Sequence, residues 1–280
     1  MTTTRETSRE RFFSLVETRP VIMGIVNVTP DSFSDGGRFF APEAALAQAK
    51  KLAADGADIV DVGAESTRPG HAPLTAEEEW TRLAPLLDAL VSQCGVPVSI
   101  DTYKAQTARR ALAAGVTIVN DIWGLHRDPD MAPAIAEAGA GVVAMHNRAE
   151  VAPEIDIVSD MLAFFERSLE IAAAAGLPES RVILDPGVGF GKTREQDFAA
   201  LRAVPELLRF GRPVLIGVSR KRLFGALLGA EVDARLIATV AANLIAAMAG
   251  ARIFRVHDAA EHKAAFAVLD TLTTKGQRRS

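Results

Sequence analysis

From Pro20 onward the chain repeats one unit: a short apolar run, then polar or glycine-bearing residues, then a stretch with helical spacing. The runs are Val21 to Val28, Asp58 to Val62, Val96 to Ile100, Val116 to Val119, Gly141 to Met145, Val182 to Leu184, Pro213 to Gly217 and Arg252 to Val256. Val, Ile and Leu follow one another in them without a polar face, which suits parallel strands buried on both sides. The segments between carry helix punctuation. A helix over Pro42 to Asp55 closes on Gly56, Thr75 with Glu78 forms a capping box, and Ile157, Met161, Phe165 and Leu169 set an apolar stripe within Ile155 to Gly176. About eight such units close a (β/α)8 TIM barrel, an α/β fold with its active site at the C-terminal rim of the strands. An open doubly wound sheet accounts for the same alternation and remains an alternative. No linker interrupts the repeat, so residues 20–273 read as one domain, with a lead-in over 1–19 and a basic tail over 274–280. Met1 to Arg11, polar and rich in Thr and Arg, read as a loose tail.

Composition narrows the partners. A net charge of -4 argues against nucleic acid. The single cysteine, Cys94, forms no intrachain disulfide and no thiolate metal site, which points to a reducing, cytoplasmic setting. The most apolar segment, Leu236 to Ala251, is interrupted by Thr239 and Asn243, falls short of a membrane span, and reads as a buried helix.

The ends of the apolar runs carry the chemistry. A barrel brings Asn27, Asp101, Asn120, His146, Asp185, Lys221, Arg255 and His257 to one rim although they are scattered in sequence. Asp185 stands out because Val182 to Leu184 deliver it directly into Pro186-Gly187-Val188-Gly189-Phe190-Gly191. Alone it could equally begin a turn or cap a helix. Asp101, Asn120 and Asp185 offer acceptors for the N–H edge of a flat heterocycle, and the glycines after Asp185 read as letting the loop lie close to that ring. Lys221, Arg255, His257 and Arg68 offer donors and positive charge for phosphate or pyrophosphate. Asn27 offers a neutral oxygen to Mg²⁺. The glycine run is neither a Walker loop nor a dinucleotide fingerprint, because Pro186 and Lys192 stand where each requires glycine. No Ser-His-Asp or Cys-His nucleophile arrangement is legible.

Several stretches resemble the dihydropteroate synthases: Gly24 to Gly37, Asp61 to Gly70, Ser99 to Thr102, Val119 to Ile122, Met145-His146, Leu184 to Lys192, Ser219 to Lys221 and Arg255 to His257. The resemblance covers about Val21 to Asp258. It implies a barrel that condenses 6-hydroxymethyl-7,8-dihydropterin pyrophosphate with p-aminobenzoate to 7,8-dihydropteroate and pyrophosphate, with Mg²⁺ as cofactor. It further implies that Asp101, Asn120, Asp185 and Lys221 hold the pterin, with Ile122, Met145 and Phe190 as apolar neighbours, and that Gly217 belongs to the substrate-binding residues. Asn27 is then the Mg²⁺ ligand, and Arg68, Arg255 and His257 meet the pyrophosphate. Phe33, Thr67, Pro69 and Ser219 surround p-aminobenzoate, and Asp35 shelters a carbocation on an SN1-like path. A homodimer is implied too, with the apolar helix near Leu236 to Ala249 as its contact. Ala64, where many relatives carry Gly, and the short segment Asn147 to Pro153 depart from the pattern. A pterin-binding methyltransferase-type barrel and a non-catalytic pterin-binding scaffold are the competing readings.

Overall fold

The computed structural model describes residues 2–28, 41–65, 73–229 and 231–273. Its strands are β1 (Val21–Asn27), β2 (Ile59–Gly63), β3 (Val98–Asp101), β4 (Ile118–Asp121), β5 (Gly141–Met145), β6 (Val182–Asp185), β7 (Leu215–Ile216) and β8 (Ile253–Val256). All pair in parallel in the order β6-β5-β4-β3-β2-β1-β8-β7, and a parallel bridge between Leu184 and Val214 joins the two ends. The sheet therefore curls into the barrel, and the open-sheet alternative falls. Helices alternate with the strands: α1 (Thr2–Thr18), α2 (Ala41–Asp55), α3 (Ala76–Gln93), α4 (Ala105–Ala114), α5 (Met131–Glu137), α6 (Ile157–Ala174), α7 (Arg194–Arg202), α8 (Val204–Leu207), α9 (Arg222–Leu228), α10 (Leu236–Met248) and α11 (Ala259–Thr273). Thr75 caps α3 in the expected reciprocal box with Glu78, and Gly56 ends α2 with φ at +110°.

Alternation along each strand separates two apolar clusters. One lies between strands and helices and includes Val26, Val60, Ile100, Val119, Val142, Leu184, Ile216 and Phe254. The other fills the barrel: Val21, Met23, Ile59, Ile118, Val143, Ile183, Leu215 and Ile253. Two residues further along, the same inward face carries Asp61, Asp101, Asn120, Met145, Asp185, Gly217 and Arg255 on β2 to β8 or directly after them, while β1 still carries Ile25 there. The interior thus changes from a sealed apolar layer to a polar one within a single pleat repeat.

Two expectations are corrected. The stretch read as a loose tail is helical, since α1 runs from Thr2 to Thr18 and inserts Phe12 and Val16, 1% and 2% exposed, under the barrel's apolar layer. Their burial removes from water the lower end of a barrel core that eight short strands leave open, at roughly 1.5–3 kcal/mol per side chain. Nor is α10 a buried helix. Its inward face carries Thr239 and Asn243, both fully buried, beside the small Ala246, while Ile237, Ile245 and Met248 are 82%, 68% and 71% exposed. The reason is local hydrogen bonding: Thr239 Oγ1 accepts from the Arg220 amide at 3.1 Å, and Asn243 Nδ2 lies 2.9 Å from His262 Nε2.

Candidate active site at the C-terminal mouth of the barrel

The polar layer is a connected structure. Arg255 donates from Nε to Asp61 Oδ2 at 2.6 Å and from NH2 to Asp101 Oδ2 at 2.8 Å. Asn120 donates through Nδ2 to the same Asp61 oxygen at 2.9 Å. Burial raises Asp101 to about 7, Arg255 works against that rise, and the Asp61 carboxylate reinforces it. Burial opposes the charge on Arg255 as well, but Asp61 and Asp101 outweigh it and keep the guanidinium protonated. Across the mouth, the register sets Met145 beside Asp185. Asp185 is 5% exposed and accepts from the Gly187 amide at 2.8 Å; burial pushes its pKa up, with Lys221 pulling the other way. Burial brings Lys221 down to about 8. Its ammonium donates to the Val188 carbonyl and lies 4.8 Å from the centre of the Phe190 ring. Gly217 lines the wall between Asp185 and Arg255, where a Cβ would stand in ordinary contact, 3.6 Å from Asp185 Oδ2 and 4.0 Å from Arg255 Cβ.

Ser219 links the last two strand ends, because its Oγ accepts from the His257 amide at 3.1 Å and lies 2.9 Å from His257 Nδ1. Ile122 is buried above β4, and Asn27 closes β1 on the inward alternation of Val21, Met23 and Ile25. The structure thus gathers Asn27, Asp101, Asn120, Met145, Asp185 and Arg255 on strand ends, with Ile122, Phe190, Gly217, Ser219, Lys221 and His257 on the segments that follow. Phe33, Asp35, Thr67, Arg68 and Pro69 lie outside the described residues.

His146 is not part of this mouth. It is fully buried behind it, with Nε2 3.1 Å from Asp160 Oδ2 and Nδ1 2.8 Å from Lys192 Nζ. Burial and the Lys192 charge hold it down to about 3, so the ring is neutral and its proton faces the Asp160 carboxylate. Two of the glycines after Asp185 also serve another purpose than a close ring. A Cβ on Gly187 would collide with the His146 carbonyl oxygen, and one on Gly191 with the Arg148 carbonyl oxygen. These glycines let the loop lie on the backbone that follows β5. Lys192, which sequence reasoning treated as a mismatch to a fingerprint, pins this turn from inside by donating to the carbonyls of Gly187 at 2.9 Å and Phe190 at 3.2 Å. Burial lowers it to about 7.

Two further groups went unnoticed in the sequence. Asp61 sits mid-strand, where only the alternation from Ile59 signals that it faces inward. Glu79 on α3 is fully buried and accepts from Thr102 Oγ1 at 3.0 Å and Thr107 Oγ1 at 2.7 Å. Lys104 bridges it to Glu65, which also accepts from the Tyr103 hydroxyl at 2.9 Å. With Arg82 donating to the Ala64 carbonyl at 3.0 Å, this network fixes the start of the loop after β2. The Thr75-Glu78 signal of the capping box pointed to this helix, but not to its neighbour Glu79.

A parallel barrel whose mouth sets acceptors on β3, β4 and β6 against cations after β7 and on β8 is built to hold a flat, polar, anion-bearing molecule. The family model described as pterin binding enzyme matches residues 23–257, which makes this a pterin-binding barrel enzyme. Among individual relatives, dihydropteroate synthase from Bacillus subtilis (strain 168) is 42% identical over 258 residues, covering 92% of this chain and 90% of that protein. The Xanthomonas albilineans dihydropteroate synthase solved with 4-aminobenzoic acid superposes with a TM-score of 0.89 at 42% identity, over 92% of this chain and 95% of that one. The same enzyme in complex with 7,8-dihydropteroate gives 0.85 at 41% identity, again over 92% and 95%. The chain belongs to the dihydropteroate synthases.

Proposed function

We propose that the protein condenses 6-hydroxymethyl-7,8-dihydropterin pyrophosphate with p-aminobenzoate, forming the C–N bond of 7,8-dihydropteroate and releasing pyrophosphate. The observation that carries this reading is the polar layer itself, in which Asp101, Asn120 and Asp185 stand on strands around the mouth opposite Lys221 and Arg255. Asp185 has one oxygen committed to the Gly187 amide and one left for ligand N–H groups. Lys221 sits where it can donate to a ring carbonyl, while Met145, Ile122 and Phe190 offer apolar faces to the flat ring. Arg255 and His257 meet the pyrophosphate, joined by Arg68 from the loop after β2. Phe33, Thr67, Pro69 and Ser219 receive p-aminobenzoate, and Gly217 lines the wall between the two halves of the site.

Mg²⁺ fits this donor set. Among the described residues no cluster of three or more His, Cys, Asp or Glu could hold a metal alone. Mg²⁺ characteristically keeps waters and takes few protein ligands beside substrate phosphates, so Asn27 with pyrophosphate oxygens suffices. When bound, it neutralises charge on the departing pyrophosphate. Arg255, His257 and Arg68 strengthen their hold as that charge develops, which favours the transition state over the ground state. The electron-poor methylene left behind follows an SN1-like course, sheltered by Asp35. The neutral aniline nitrogen then attacks without a strong general base, in keeping with His146 being committed behind the site.

The protein acts as a homodimer through the apolar face of α9 to α11, where Leu227, Ile237, Ile245, Met248, Val268 and Leu272 are each at least 59% exposed. No helix of the described residues is long and apolar enough to cross a membrane, and a cytoplasmic site of action accords with the free thiol of Cys94. Incubation with both substrates and Mg²⁺ tests the reading. A product with the mass of 7,8-dihydropteroate is expected, whereas pterin binding without product would leave a scaffold.

A further inference from the structure

Asp61 lies inside β2 beneath the mouth and is fully buried. A carboxylate in such a place loses its hydration, and a buried ion pair is weak evidence for a stabilising role. On the same strand Ile59, one inward position lower, belongs to the apolar cluster that fills the barrel, so this face of the barrel accepts an apolar side chain. What Asp61 contributes is geometry. Its Oδ2 accepts both from Arg255 Nε at 2.6 Å and from Asn120 Nδ2 at 2.9 Å, while Oδ1 is buried with no partner among the described residues. One oxygen therefore ties together β2, β4 and β8.

The consequences follow from the donor inventory. An amide whose NH2 faces a carboxylate turns its carbonyl oxygen the other way, so the Asp61 contact spends one of the two Asn120 N–H groups and fixes the direction in which its acceptor is offered to a ligand. A freely turning amide would present either its oxygen or its NH2. For Arg255, Asp61 takes Nε and Asp101 takes NH2, which fixes the plane of the guanidinium between β2 and β3. Removing Asp61 leaves Arg255 with Asp101 alone and Asn120 with no fixed orientation.

We propose that Asp61 is a positioning residue for the ligand site: through a single oxygen it orients the Asn120 amide as an acceptor for the N–H edge of the pterin ring and holds Arg255 beside Asp101. This rests on the pterin-binding reading above.

The test is the dissociation constant of 6-hydroxymethylpterin for the unsubstituted protein and for Asp61→Ala, Asp61→Asn, Asn120→Ala and the Asp61→Ala/Asn120→Ala pair. Thermal melting of each without ligand checks that it folds. Loss of the acceptor in Asp61→Ala is expected to weaken binding at least about tenfold. Asp61→Asn keeps an oxygen able to take both donors and is expected to stay within about threefold of the parent. The double variant is expected to lose less than the product of the two single losses, since Asp61 acts through Asn120. If Asp61→Ala does not fold, Asp61→Val, suited to a strand and equally without an acceptor, takes its place with the same expected loss. Unchanged affinity in the alanine or valine variant, an equal loss in Asp61→Asn, or full additivity with Asn120→Ala would overturn the proposal. Failure of the unsubstituted protein to bind the pterin would instead overturn the pterin-binding reading, and this inference with it.

Discussion

Asp185 fixes the Gly187 turn with one oxygen, and on the proposed reading it presents the other to a ligand. Asp185→Asn keeps the size but offers one acceptor where two are used, and pterin affinity should fall by about 10- to 100-fold, as loss of a charge-assisted hydrogen bond does. Calorimetry reads this directly, and unchanged affinity would remove Asp185 from the site. Lys221 makes a pH prediction. Burial holds it at about 8 against its ordinary 10.5, so raising the pH through 8 discharges it in the folded protein, and kcat/KM should fall on that limb. The stability contribution runs the opposite way: from about 8 to 10.5 the unfolded chain binds the proton and the folded one does not, so this group's share of stability rises with pH. Lys221→Arg, charged throughout, should lose the alkaline limb in a pH–rate profile even if its absolute rate is lower. Asp101, Asn120 and Asp185 were legible in the sequence because each ends an apolar run, where a polar residue has little structural reason to be. Asp61 was not, because it sits one pleat repeat earlier within a run, and only the barrel's inside and outside clusters reveal which face it takes. His146 ends a run too, yet it turns to Asp160 and Lys192; no spacing in the chain announces those long-range partners.

The loop after β6 shows what a glycine signal does and does not reveal. Three glycines marked unusual backbone, and all three have positive φ, at 63°, 84° and 60°. The cause at Gly187 and Gly191 is the carbonyl chain of residues 146–148, which only the fold brings there. Gly187→Ala should destabilise the protein by at least about 2 kcal/mol, combining left-handed strain with a backbone collision. Urea denaturation measures it, and a change below about 0.5 kcal/mol would show that the loop shifts freely. The inverted helix α10 misled hydropathy in a comparable way. Its mean apolarity suggested burial, but its buried residues are the polar Thr239 and Asn243 with the small Ala246, while large apolar side chains face out. Ile245→Glu should therefore leave folding nearly unchanged and convert a dimer to a monomer by light scattering, because a charge on an interface core opposes association. An unaltered mass would dismiss that face as the interface.

At the scale of the whole molecule the eight-unit repeat made the barrel legible, since continuous apolar runs separated by helices leave few alternatives. The lower closure was not legible: Phe12 and Val16 look like stray apolar residues in a polar segment until the barrel core is seen above them. Phe12→Ala should cost about 3–5 kcal/mol, the range for truncating a buried aromatic, while leaving KM for the pterin substrate near its original value, because the apolar layer separates it from the mouth. The upper layer makes the opposite choice, giving up apolar packing for a set of acceptors and cations that suit a pterin joined to pyrophosphate. On the proposed reading this layer brings the two substrates together for condensation. Simultaneous measurement of dihydropteroate formed and pyrophosphate released, with and without p-aminobenzoate and Mg²⁺, tests it most directly. Equal amounts of the two products are expected, with dihydropteroate dependent on p-aminobenzoate and both sharply reduced by chelation of the metal. Binding of the pterin pyrophosphate with neither product appearing would contradict that reading.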